Sequence, residues 1–211
     1  MGYNCGENYS QFISKKGYFS ANYFMAKLIS KPSKGMVLVA EPFMKDSYFK
    51  RSVVLLADHG EKGSMGFMLN KTIEIKLNDA IPDFPQFDGS LHLGGPVSTD
   101  QLFFIHRYGE LIPKSIEIMD GLWWGGDFIK LRSLMKKDEI DITQLRFFVG
   151  YAGWDPEQLN KELNEKSWII TKQKINTILN GDWENLWPNI LKRMGGEFTL
   201  MANFPEDPSL N

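Results

Sequence analysis

A single cysteine, Cys5, is all that the 211 residues contain. A lone thiol excludes an internal disulfide and any paired-cysteine redox or zinc motif, and it suits a reducing compartment, so the expected location is the cytoplasm. Long apolar runs are missing too. The longest candidates, residues 36–40 and 53–57, are strand-sized, against the roughly 18 residues a membrane helix needs. Lys15 and Lys16 are not followed by the apolar stretch of a signal peptide. No membrane association is expected. The chain also lacks internal repeats, low-complexity segments, and a glycine-rich run ending in the lysine of a phosphate loop. Gly63-Ser64-Met65-Gly66 does not have the spacing of a serine-hydrolase elbow. No catalytic residue, cofactor or metal ligand set is therefore assigned.

What is present is an ordinary globular composition, 43% hydrophobic and 24% charged, rich in aromatics with 15 Phe, 7 Tyr and 6 Trp. Such a chain can bury a sizeable core filled by flat side chains. Charge is uneven. Residues 1–52 hold eight Lys/Arg against three acidic residues, a balance of +5 that leaves −7 for the remainder of a chain whose net charge is −2. The basic residues are dispersed, and together with the negative total and the lack of a helix-turn-helix pattern they argue against a nucleic-acid partner.

Residues 1–34 show no clear period and read as a partly ordered extension, with a short helix expected near 23–29. From residue 35 to 211 the pattern is that of a single domain. Strands are predicted at 36–40, 52–57, 65–69, 91–93, 102–106, 115–119, 122–125, 145–152 and 167–171, with Asp120-Gly121 as a hairpin turn. Helices are predicted at 77–81, from Asp127 to about 136, after Asp155-Pro156-Glu157-Gln158, and at 186–194 with Gly195 as the stop. In the third, Asp155 is the expected cap, Pro156 the first helical residue, and Gln158 reaches back to the cap amide. The irregular order of strands and helices predicts an α+β fold with a mixed sheet.

Several ordered segments are shared with a known family. They are Glu41-Pro42-Phe43 through Val54; His59 with Gly63-Ser64-Met65-Gly66-Phe67; Leu93-Gly94-Gly95-Pro96-Val97; Phe104-Ile105-His106; and Gly150-Tyr151-Ala152-Gly153-Trp154 followed by Gln158, Glu162 and Trp168. The ending Asn203-Phe204-Pro205-Glu206-Asp207-Pro208 also fits. On these motifs the chain resembles the YqgE/AlgH family of bacteria. That resemblance implies an α+β fold with a mixed, partly barrel-like sheet flanked by helices. It implies little about activity, since the family is largely uncharacterised and only some members carry a transcriptional-regulator label. The chain departs from the family pattern at Glu157, where a glycine is usual, and residues 1–34 lie outside the match.

The motifs fall on loops and strand ends, where function usually sits. The expected ligand or partner surface combines Asp46, His59, Asn70, Gly94, Gly95, Pro96, His106, Trp154 and Gln158. The leading expectation is a non-enzymatic binding or regulatory module with a protein or small-molecule partner; its oligomeric state cannot be read from the sequence. The alternative is a hydrolase-like enzyme using His59 or His106 with Asp46. Glu162, one helical turn beyond Gln158, shares a face with it. If residues 91–97 and 101–107 formed a hairpin centred on Thr99, His92 and His106 would face each other about 5 Å apart; an ordinary strand pair is the simpler reading, because zinc wants three or four ligands.

Overall fold

The computed structural model describes residues 31–205. Cys5, the helix expected near 23–29 and the final residues 206–211 lie outside that range.

Ten strands form one sheet. In chain order they are β1 (Val37–Ala40), β2 (Val53–Gly60), β3 (Gly63–Met68), β4 (Thr72–Ile73), β5 (Leu91–Leu93), β6 (Val97–His106), β7 (Ile116–Met119), β8 (Leu122–Trp124), β9 (Leu145–Trp154) and β10 (Trp168–Thr171). Among the described residues six α-helices accompany them: α1 (Leu77–Ala80), α2 (Phe128–Lys136), α3 (Gln158–Asn164), α4 (Ile175–Asn180), α5 (Leu186–Met194) and α6 (Glu197–Met201). The strand order is β10-β1-β2-β3-β9-β6-β8-β7, with the small β4–β5 pair set beside β9. All pairings are antiparallel except β5 with β9, so the sheet is mixed and the fold is α+β.

The barrel-like expectation needs correction, because the sheet does not close. The outer strand β7 does curl back toward the start of β1, and a Cβ on Gly35 would stand 3.3 Å from the Ile118 carbonyl. However, β1 already has both edges occupied, by β2 and by β10. β7 can approach β1 but cannot join its ladder.

β9 organises the rest. Along one edge it pairs with β6, from Leu145 opposite His106 to Tyr151 opposite Val97. Along the other edge its first half pairs with β5 and its second half with β3. The changeover falls at Gly150, whose φ of +69° turns the strand through the left-handed region that glycine tolerates best. Among the described residues, two of the apolar clusters lie against these elements. One gathers Leu77, Phe84, Phe104, Leu131, Leu134 and Phe147; the other gathers Leu38, Val54, Leu56, Met68, Trp154 and Trp168.

Local signals place several elements as expected. Asp127 caps α2 by accepting from the Lys130 amide at 2.9 Å, and Leu131, Leu134 and Met135 form the buried face. Gly121 turns the β7–β8 hairpin at φ +79°. α5 runs from Leu186 to Met194 and stops at Gly195. α3 differs from its expected start. The Gln158 side chain does reach back to the Asp155 amide at 2.9 Å, but the helix begins at Gln158 rather than Pro156, with Glu157 as its cap residue at φ +63°. The left-handed turn at Glu157 delays the helix by two residues. No helix among the described residues is long and apolar enough to cross a membrane.

Candidate functional site

His59, Trp154 and Gln158 are brought together at one end of the sheet. His59 on β2 faces Ser64 on β3, and Ser64 faces Trp154 on β9, so the three occupy one cross-strand row. His59 Nδ1 lies 2.8 Å from Ser64 Oγ. The β2–β3 turn then rests on the β9–α3 junction so closely that a Cβ on Gly63 would fall 2.4 Å from the Trp154 carbonyl oxygen. Only glycine allows this contact.

Glu162 is the hub of this end. Its Oε2 accepts the indole N–H of Trp154 at 2.9 Å and that of Trp168 at 2.7 Å, while its Oε1 accepts from the Gln158 side-chain amide at 2.9 Å. The i, i+4 spacing of Gln158 and Glu162 was legible; the arrival of two tryptophans from β9 and β10 was not, because neither is a local neighbour. Trp154 itself is buried, stacked on Phe49 at 6.1 Å and edge-on to Trp168 at 5.9 Å. It fills a core corner and offers no open ring face.

The remaining candidates have duties elsewhere. Asp46 closes its own loop by accepting from the Tyr48 amide at 2.9 Å. Asn70 accepts from the Val53 amide at 2.8 Å and donates to the Arg51 carbonyl at 2.9 Å, fastening the entry into β2. Gly94 and Gly95 thread past β9, where Cβ atoms would fall 2.1 Å from the Gly150 oxygen and 2.0 Å from the Tyr151 carbonyl carbon. The Gly94 amide is already donated to Val149 and its carbonyl accepts from Met68, so that amide is not free to receive an anion. Pro96 is exposed at the start of β6.

His106 is fully buried. The Tyr108 amide donates to its Nδ1 at 3.1 Å, which leaves the proton on Nε2, 3.0 Å from the Gly125 carbonyl and 3.2 Å from Ser115 Oγ. Burial holds its pKa below the usual value, partly opposed by the bond to Gly125. Both ring nitrogens are engaged. It sits at the opposite end of β9 from the His59 row, roughly 30 Å of strand away at about 3.3 Å per residue. No hydrogen bond or ion pair joins Asp46 to either histidine among the described residues.

The His92–His106 hairpin does not exist. His92 pairs with Thr72 and Phe148, whereas His106 pairs with Leu145 and Trp123. β9 lies between β5 and β6, a non-local insertion that local spacing cannot reveal. Trp123 and Trp124, successive on β8, are both half-buried.

Residues 37–199 match the family model described as AlgH-like. The chain belongs to the AlgH-like family. A UPF0301 protein of Cytophaga hutchinsonii is 42% identical over 180 residues, covering 85% of this chain and 99% of that protein. A second UPF0301 protein, from Bacteroides thetaiotaomicron, is 40% identical over 182 residues, covering 85% and 92%. Among solved structures, the AlgH protein of Pseudomonas aeruginosa superposes with a TM-score of 0.65 at 25% identity, covering 83% of this chain and 97% of that one. Protein DIP2367 of Corynebacterium diphtheriae shares the fold, with a TM-score of 0.73 at 22% identity over 88% of this chain and 100% of that one. The function of the UPF0301 proteins is uncharacterised, and the AlgH-like resemblance assigns no reaction to this chain.

Proposed function

We propose that this AlgH-like chain is a non-enzymatic binding or regulatory module of the bacterial cytoplasm. Its contact surface is the end of the sheet where the β2–β3 turn meets the β9–α3 junction. Residues 35–211 act in this reading as one domain, and 1–34 as an extension. The observation that supports it is the Glu162 hub: three N–H groups converge on one carboxylate, which holds Trp154 and Gln158 in fixed orientation beside His59. Preorganised polar groups on adjoining loops reduce the ordering cost of binding a partner. Among the described residues, the contact between His59 and Ser64 favours a hydrolase, and Asp46 does not complete it.

A photo-crosslinking residue placed at Gln158 or His59 in the chain expressed in a bacterial cell tests the surface. Discrete adducts are expected there and not from Ile129, which is 80% exposed on α2. Equal labelling at all three positions, or none at Gln158 and His59, would remove the proposal. A native chain whose ester hydrolysis is abolished by His59→Ala would favour the hydrolase instead.

A further inference from the structure

Arg146 lies on β9 and is only 3% exposed. No described Asp or Glu forms an ion pair with it. Its Nη1 donates to the Ile178 carbonyl at 2.7 Å and its Nη2 to the Leu69 carbonyl at 2.6 Å, while Nε has no partner. Trp183 stacks on the guanidinium 3.4 Å from the ring centre, and the Phe148 ring centre is 5.3 Å away. His92, 2% exposed, stands against the same two rings, 5.7 Å from Trp183 and 5.8 Å from Phe148. Its Nδ1 also lacks a partner. The register explains the grouping, since His92 pairs with Phe148 in the parallel ladder and Arg146 is two residues before Phe148 on the same face.

A guanidinium stays protonated inside proteins. Burial works against that charge, and two carbonyls and a ring face offset part of the cost without supplying a negative charge. An unused donor and an unused ring nitrogen therefore belong to two side chains packed against the same indole. Trp183 belongs to the non-helical link between α4 and α5, and no side-chain hydrogen bond to the described residues holds its ring. It rests on Gly181, where a Cβ would come within 3.0 Å of it. On either side of it in sequence, Gly181, Asp182 and Leu186 line an open cavity of about 470 Å³, whose other walls include Asn180, Lys192 and Arg193. Two basic side chains face one acidic one.

We propose that Arg146 and His92 form the floor of a small-oxyanion site, entered from the α4–α5 cavity when Trp183 swings aside, which takes the phosphate or carboxylate group of a small molecule. The oxyanion supplies the negative charge that the stacked indole does not, accepting from Nε–H in the plane of the guanidinium. This site is separate from the His59–Gln158 surface and stands without it.

The full chain is titrated with inorganic phosphate and, in a second arm, with acetate, ionic strength being held constant with potassium chloride. Thermal midpoint and tryptophan emission are followed. At least one anion is expected to raise the midpoint saturably and to change the emission as Trp183 leaves the guanidinium; the anion that saturates identifies the group. Trp183→Phe should remove the emission change and keep the stabilisation. Arg146→Lys should weaken binding by about 10–100-fold, the worth of a charge-assisted bond. Since a variant at a buried arginine can fail to fold, the Nε–H resonance of Arg146 in the native chain gives a second readout, expected to move in step with the midpoint. Absence of a saturable response to both anions overturns the proposal, as does a response unchanged in Arg146→Lys. A trapped water at Nε–H with no response to either anion overturns it equally.

Discussion

Trp154 and Trp168 donate their indole N–H groups to the same carboxylate oxygen, Glu162 Oε2, at 2.9 and 2.7 Å. One acceptor thereby joins β9, β10 and α3. Replacing Glu162 with alanine leaves two largely buried donors without a partner, and each such loss costs about 1–3 kcal/mol. Glu162→Ala should destabilise the chain by about 2–4 kcal/mol in denaturant unfolding. A loss below about 0.5 kcal/mol would show that water satisfies both indoles and that the hub is incidental.

Glycine substitutions separate threading from turning. A methyl group at Gly94 would collide with the backbone oxygen of Gly150 at 2.1 Å, whereas at Gly60 it would meet nothing within 4 Å. Gly94→Ala should cost about 3 kcal/mol or more, above the usual range for overpacking because backbone cannot yield as a side chain does. Gly60→Ala should stay within about 0.5 kcal/mol. Thermal midpoints of the two variants provide the comparison, and equal values would contradict the close passage of residues 94–95 beside β9.

Glu157 occupies the left-handed region, φ +63°, which glycine adopts without a side-chain clash. A side chain there costs about 1–2 kcal/mol, partly offset by the greater unfolded-state freedom of glycine. Glu157→Gly should raise stability by about 0.5–1 kcal/mol. A destabilised variant would mean that the Glu157–Asn160 hydrogen bond outweighs the strain.

The two buried histidines set an acid limit. Burial, helped by the Arg146 charge, pushes the His92 pKa down to about 2, and burial also lowers that of His106. Both folded values lie below the unfolded value near 6.5, so the unfolded chain binds more protons as pH falls. Their stabilisation is fully present above about pH 6.5 and is lost below it, at about 1.4 kcal/mol per pH unit for each histidine that stays neutral. Between pH 6.5 and 5.5 the native chain should lose about 1–2 kcal/mol, and His92→Gln should lose less. The window stops short of the carboxylates because Glu41, whose pKa burial raises, works in the opposite direction. Unfolding midpoints that stay level across this range would contradict neutral burial of the imidazoles.

Much of the fold was legible because its signals are local. Asp127 announces a cap, Asp120-Gly121 a hairpin and Gly195 a stop, and each needs only its sequence neighbours. The short elements Thr72–Ile73 and Ile175–Asn180 have too few residues to show a period. The insertion of β9 between β5 and β6 defeated the His92–His106 pairing because sheet neighbours are chosen by tertiary packing. The site divides the same way. His59, Trp154 and Gln158 came from one readable set of motifs and lie at the same end of the sheet, while Asn70, Gly94 and His106 came from the same set and serve the backbone. Arg146 gave no signal: a lone basic residue inside an apolar strand reads as an outward-facing position until the face it occupies is known.

β1 also has a consequence for how the protein is made. Its fully buried Val37–Ala40 edge is completed by β10, through pairs such as Val37 with Thr171. At ribosomal speeds of 5–20 residues per second, the partner emerges about 130 residues later, a wait of roughly 7–26 s. Throughout that interval one flank of an apolar strand stands uncovered on the nascent chain, so an aggregation-guarding chaperone would find its target at β1.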